Sequence, residues 1–175
     1  MGATKPEEYG DYFAWGETKG FNSGKTTFNR DTYFDSDFNK YNNSGGLTEL
    51  ALEDDAAYVN WGSNWRMPSR EQQDELGKQC NWTWTTLNGV NGYRVTSKTN
   101  GNSIFLPAAG WRDGSSLSHA GSLGSYWSRS LLTYDPDGAY GLDFGSGYVV
   151  WSTYNGYYYD DCYRCYGWSV RPVRR

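Results

Sequence analysis

The chain has 175 residues, of which 37% are hydrophobic, 18% aromatic and 21% charged, with a formal net charge of −4. Its length fits one domain, within the usual ~100–200 residues. The acidic balance excludes general phosphate or nucleic-acid binding, which needs a basic face to displace counterions, and no stretch approaches the ~20 apolar residues that span a membrane as a helix.

Apolar content is carried by rings: nine Trp and sixteen Tyr can fill a core with few residues, because each buries a large area. Residues 1–46 read as loop, with Asn22-Ser23-Gly24 and Asn42-Asn43-Ser44-Gly45-Gly46 as turn punctuation. Met1 to Pro6 has no apolar core of a signal peptide, so an export signal or anchor is expected outside this chain. Leu47 to Val59 predicts a short helix with Ala56, Tyr58 and Val59 on its buried side, ended by the Trp61 to Pro68 stretch. Ser69-Arg70-Glu71-Gln72 is a capping box: Ser69 accepts from the backbone N–H three residues on and Gln72 reaches back. Acidic Glu71, Asp74 and Glu75 suit the positive end of the helix this box opens, over 69–79.

From Trp82 the pattern is β. Tyr93 to Lys98 and Ser103 to Leu106 are strands around the turn Thr99-Asn100-Gly101-Asn102. Leu106 to Gly110 closes that hairpin with small residues. Ala139 to Phe144 alternates at period two with Leu142 and Phe144 on one face, and Gly147 to Trp151 and Trp168 to Val173 are further strands. Arg171, Arg174 and Arg175 read as a strand end rather than a binding arm. Two short helices early and strands late indicate an α+β fold with a mainly antiparallel sheet and long loops.

After Lys98 the chain contains no Lys, Glu, Gln or Met, and ten of its sixteen Tyr lie there among Gly, Ser and Asp. This is the chemistry of an antibody-like contact surface. Tyr offers broad amphipathic area while freezing few torsions, and Gly, Ser and Asp supply adaptable hydrogen bonds. Tyr157-Tyr158-Tyr159-Asp160-Asp161 is too polar for a core strand and reads as exposed recognition surface. The other reading of the same composition is a solvated Tyr-rich face with no partner.

Tyr9-Gly10-Asp11-Tyr12-Phe13-Ala14-Trp15-Gly16-Glu17, Trp65-Arg66-Met67-Pro68-Ser69, Phe105-Leu106-Pro107-Ala108-Ala109-Gly110, Tyr126-Trp127-Ser128 and Gly167-Trp168-Ser169-Val170-Arg171-Pro172-Val173 occur in that order. Together they resemble the major paralogous (FISUMP) domain family of gut and rumen bacteria, which is similar to formylglycine-generating enzymes. The resemblance covers nearly the whole chain and implies a single C-type lectin-like domain over 1–175. Within it, 126–175 resembles the variable cassette of a diversity-generating retroelement target protein on a scaffold of 1–125. Adenine-directed mutagenesis of Asn codons cannot reach Lys, Glu, Gln, Met or Trp, and from Tyr126 onward only Trp127, Trp151 and Trp168 are of those types.

The resemblance implies a frame of Trp127, Ser128, Leu142, Phe144, Val149, Trp151, Arg164, Gly167, Ser169, Val170, Arg171 and Pro172. It places ligand contacts at Tyr134, Asp135, Tyr140, Gly141, Asp143, Tyr148, Val150, Ser152, Tyr154, Tyr157, Tyr158, Tyr159, Asp161, Tyr163, Cys165 and Tyr166. It further implies a non-enzymatic module for a protein ligand or surface receptor, displayed on a cell surface, outside the cell or on a phage particle, without a cofactor. Family members carry a further strand before Gly2 to Glu8, so the C-terminal edge is expected to be covered differently here.

Three other chemistries stay open at this stage. Cys162-x-x-Cys165 has the spacing of a zinc half-site, but completing it needs Cys80 and His119, the only histidine. The same cysteines could serve the copper-dependent oxidase chemistry of the formylglycine-generating relatives, although they match no catalytic motif. Asp135-Pro136-Asp137 is faintly similar to the calcium loop of sugar-binding lectins, which keeps a glycan ligand in view, and reads more simply as a turn.

Overall fold

A computed structural model of the chain describes residues 1–28, 40–151 and 163–175. The strands, in chain order, are β1 (Tyr12–Phe13), β2 (Trp65–Arg66), β3 (Cys80–Leu87), β4 (Val90–Ser97), β5 (Ser103–Pro107), β6 (Trp111–Asp113), β7 (Ser116–Ser118), β8 (Leu123–Leu131), β9 (Ala139–Gly145), β10 (Tyr148–Trp151), β11 (Trp168–Ser169) and β12 (Val173–Arg174). Two α-helices, Ala56–Trp61 and Arg70–Gln79, precede most of them. The described residues are therefore α+β and mainly antiparallel, as the residue pattern predicts.

The central sheet has the order β1-β11-β8-β9-β10. Only the β11–β8 pair is parallel, with Ser169 opposite Tyr126. β3, β4 and β5 form a separate antiparallel meander, turned at Gly101 (φ 74) where Ser97 N donates to Asn102 O at 2.9 Å. The hairpin predicted around 99–102 is thus present. β6–β7 is a short ribbon, and β12 pairs with β2. Val170 O accepts from Met1 N at 2.8 Å just beyond β11.

The capped helix forms as read: Gln72 N donates to Ser69 Oγ at 3.2 Å and Ser69 N to Gln72 Oε1 at 2.9 Å. The first helix differs from the expectation of one helix over 47–59. Residues Leu52–Asp54 make only a 3-10 turn, and Asp55, in extended conformation (φ −86, ψ 108), restarts the chain as an N-cap. Its buried carboxylate accepts from Ala57 N at 2.9 Å, Tyr58 N at 3.0 Å and Met67 N at 3.1 Å, and Arg66 Nε lies at 3.2 Å. A buried carboxylate needs this many donors, and it takes them in preference to continuing the helix. The buried side is Ala56 and Ala57; Tyr58 is half-buried and Val59 exposed. The single strand expected over Trp168 to Val173 is also divided. Pro172 has no N–H to donate, and the chain passes there from the central sheet to the β2 pair. Arg174 stands opposite Trp65, a strand end as expected.

Rings fill the core. Trp127 stacks on Trp168 with centroids 4.0 Å apart, within a cluster that includes Phe13, Trp15, Leu50, Met67 and Val170. A second cluster joins Tyr93, Val95, Leu106, Tyr126, Leu142 and Phe144, and a third joins Tyr12, Ala14, Phe28, Ala109 and Cys165. Trp127 is wholly buried and its Nε1 donates to Phe13 O at 2.9 Å. Trp127→Ala is expected to cost ~3–5 kcal/mol, the range for a fully buried large ring, measured by urea unfolding at equilibrium; a loss below about 1 kcal/mol would mean the site collapses around the cavity.

Candidate functional site

Strand alternation decides what the tail presents. On β9, Leu142 and Phe144 turn into the second core cluster, and from β10 Val149 packs against the same cluster. Adjacent strand residues point to opposite faces, so Asp143 and Val150, directly opposite each other, share the other face. Tyr148 stands across from Gly145, where a Cβ would meet the Tyr148 ring at 2.7 Å. Tyr148 and Val150 are each 39% exposed.

A second group lies beyond the start of β9. Gly138 N donates to Asp135 O at 2.9 Å, Asp135 N to Leu132 O at 3.1 Å, and Asp137 N to Asp135 Oδ1 at 3.3 Å. Asp135-Pro136-Asp137 is therefore a turn, with an Asp135 carboxylate oxygen engaged inside it. Arg164 N donates to Asp137 O at 2.9 Å and Gly138 bridges Tyr163, which fastens the turn to the chain at 163–164. Tyr166 packs against Trp111 with centroids 4.9 Å apart, and Tyr163 lies 6.0 Å from Tyr166.

The structure sorts the sixteen candidate contacts. Tyr134 (54% exposed), Asp135, Tyr148 and Val150 face solvent. Asp143, Tyr163 and Tyr166 are half-buried. Tyr140, Gly141 and Cys165 are buried, each for a local reason. Tyr140, 7% exposed, lies under the Arg70 guanidinium at 4.2 Å. At Gly141 a Cβ would meet the Trp168 ring at 2.6 Å and Tyr126 O at 2.8 Å, so only glycine fits. Cys165, 2% exposed, fills the third cluster. Ser152, Tyr154, Tyr157, Tyr158, Tyr159 and Asp161 lie outside the described residues. Trp151 and Tyr163, which bracket them, stand opposite Leu142 on β9 and Gly138 just before it.

Sequence reasoning missed Trp111, whose ring supports Tyr166 and stacks with His119 at 6.4 Å. It comes from a ribbon over fifty residues away, and nothing in its neighbourhood signals the contact. Among the described residues no group of three or more His, Cys, Asp or Glu could hold a metal. Cys80 packs against the second cluster and Cys165 within the third, while Cys162 lies outside the described residues.

The one strongly perturbed acid among the described candidate contacts is Asp143. Burial pushes its carboxyl from 3.8 up to about 6, opposed by the hydroxyl of Ser125, which donates to Oδ1 at 2.7 Å, and by the field of His119. Neither the protein-family models, the curated proteins nor the solved structures compared with this chain yield a match.

A folded-state pKa above the unfolded value gives stability that is complete below about pH 4 and lost as pH rises through about 6. Asp143→Asn removes that loss. The variant is therefore expected to exceed the parent by up to ~3 kcal/mol near neutral pH, from a shift of about two units, with the gain shrinking toward pH 4. Urea titrations of both proteins across this range check it; a difference independent of pH would place the Asp143 carboxylate in water.

Proposed function

We propose that the chain is a non-enzymatic binding module, a C-type lectin-like scaffold that presents the outward residues of its tail to a protein ligand. In this reading it is a FISUMP-type variable protein of a diversity-generating retroelement, displayed at a cell surface or on a phage particle. The carrying observation is the division of the tail by burial. Frame residues Trp127, Ser128, Leu142, Phe144, Arg164, Gly167, Ser169 and Val170 are buried, whereas Tyr134, Asp135, Tyr148 and Val150 face solvent. A surface that must change its side chains without unfolding needs this separation, because core positions resist volume changes that surface positions tolerate.

Rings anchored on a rigid sheet lose little freedom on contact and supply much of the binding energy at protein interfaces. Tyr148 on β10 is such a ring, and Tyr134 stands on the turn before β9, with Asp135 beside it and Val150 near Tyr148 in sequence. The burial of Cys165 further disfavours a solvent-reachable thiol pair of the oxidase type.

Protein and glycan arrays probed with the intact chain, and with a triple variant Tyr134→Ser, Tyr148→Ser and Val150→Ser, test the reading. Protein targets are expected to be bound by the parent and weakened roughly 30-fold or more in the variant, as for loss of interface anchors. The melt of the variant should stay within about 1–2 kcal/mol of the parent, as for exposed positions. Hits on glycans alone would replace the protein ligand with a sugar; protein binding untouched by the triple variant would move the contact surface elsewhere. In the neighbouring DNA, a reverse transcriptase and a near-copy of the 126–175 coding segment differing only at adenines are expected, and their absence would remove the diversification part of the proposal.

A further inference from the structure

A cavity of about 530 Å³ lies between the N-terminal turn, the Trp61 to Trp65 loop, the capped helix, β5 and the C-terminal segment. Its volume falls in the range of small-molecule sites. The walls are largely apolar: Trp61, Trp65, Leu76, Ile104 and Pro172 all contribute. Trp61 and Trp65 meet edge to face with centroids 5.2 Å apart, and Trp61 and Ile104 are exposed at the mouth. No Asp or Glu lines it, whereas Arg171 does. Arg171 is half-buried, and its guanidinium has no hydrogen bond or ion pair with any described residue. A guanidinium set in an apolar wall without a carboxylate is an incomplete pair.

We propose that this cavity binds a small aromatic carboxylate, its acid on Arg171 and its ring against the Trp61–Trp65 corner. The planar fork of one Arg matches the two oxygens of a carboxylate. A phosphate would bring a second charge, and the amine buried in the walls, that of Met1, donates to Val170 O and is lowered by burial and by Arg171 to a pKa of about 6, so it is mostly uncharged near neutral pH. Lys5, at the rim, is exposed and already lies in the field of Glu7 and Glu8. Edge and face contacts with two indoles favour an aromatic body over an aliphatic one. The site does not depend on the tail surface: Leu142 lines the cavity, while its neighbour Asp143 points to the opposite face of β9.

Phenylacetate, phenylacetamide and phenethylamine, titrated into the intact chain by calorimetry and followed at the indole N–H resonances of Trp61 and Trp65, decide it. The acid is expected to saturate with those two resonances shifting, and to bind about tenfold or more tighter than the amide, the worth of a charge-assisted pair; the amine binds weakest. Arg171→Met should abolish the preference for the acid over the amide. Ile104→Glu, which sets a carboxylate at the exposed mouth, should weaken the acid more than the amide, which covers the case in which the Arg171 variant fails to fold. The triple variant of the tail surface should bind the acid as the parent does. Equal affinity for acid and amide, no saturable binding, or acid binding indifferent to both Arg171→Met and Ile104→Glu would overturn the proposal.

Discussion

The stack of Trp127 on Trp168 holds the two ends of the chain to its middle, and the rest of the architecture is arranged around it. Trp127 belongs to β8, the centre strand, and Trp168 to β11 beside it. Trp127 Nε1 donates to Phe13 O, and Trp15 Nε1 donates back to Ser128 O at 2.8 Å. Buried indole N–H groups usually find acceptors; those of Trp127 and Trp15 do so because β1, β11 and β8 lie side by side, while Trp168 Nε1 is buried without one among the described residues. Tyr126 Oη to Pro107 O at 2.7 Å and Tyr12 Oη to Ala109 O at 2.6 Å bring in the chain after β5 by the same means. Arg129 N to Pro68 O at 2.8 Å adds the segment before the capped helix. The five motifs that carry the family resemblance are thus the five segments that these bonds and the stack bring together. They are physically one object, a polar-tipped aromatic core whose hydrogen bonds leave little choice of register.

Because that core is so closely packed, the tail has few positions at which a side chain can change. At Gly124 a Cβ would meet the Phe144 ring at 2.2 Å, and Gly141 is confined by Trp168 in the same way. Freedom begins where the strand turns its residues outward or where the chain leaves the sheet, at Tyr148, Val150, Tyr134 and Asp135. The loop-rich composition of the tail and its buried frame are not in conflict. The first belongs to residues that gain little from the core, and the second to those that close it.

How much of this could be read from the residues depends on how far apart the interacting groups lie. The capping box was legible because Ser69 and Gln72 sit three apart and satisfy each other. The β4–β5 hairpin was legible because a Gly with positive φ lies between two alternating runs. The segment Leu47 to Val59 has helical residues but not one continuous helix, since the Asp55 carboxylate is claimed by Met67 N and Arg66, which no local pattern announces. Tyr140 reads as surface by composition and is covered by Arg70, seventy residues upstream. The inward turn of Leu142 and Phe144 was legible from period two, yet the same alternation cannot say that Gly141 is closed off by a ring from another strand. Of the candidate site, the outward character of Tyr134, Asp135, Tyr148 and Val150 agreed with composition. The Trp111 support under Tyr166 and the cavity at Arg171 did not show, because each is assembled from distant segments.

The two surfaces share a wall, and that arrangement has a functional consequence. β9 contributes Leu142 to the cavity and Asp143 to the tail face, one residue apart and on opposite sides. A dense aromatic layer transmits large volume changes poorly tolerated within it, but exchanges of outward side chains place no new atoms in that layer. The cavity walls come from Trp61, Trp65, Leu76, Ile104 and the Arg171–Pro172 corner, none of which is among the residues argued to face a protein ligand. Replacement of the displayed side chains would therefore leave the cavity and its unpaired guanidinium as they are. If both proposals hold, such a module could change what it holds at its tail face while keeping a constant small-molecule site behind it, with the sheet between them keeping the two independent.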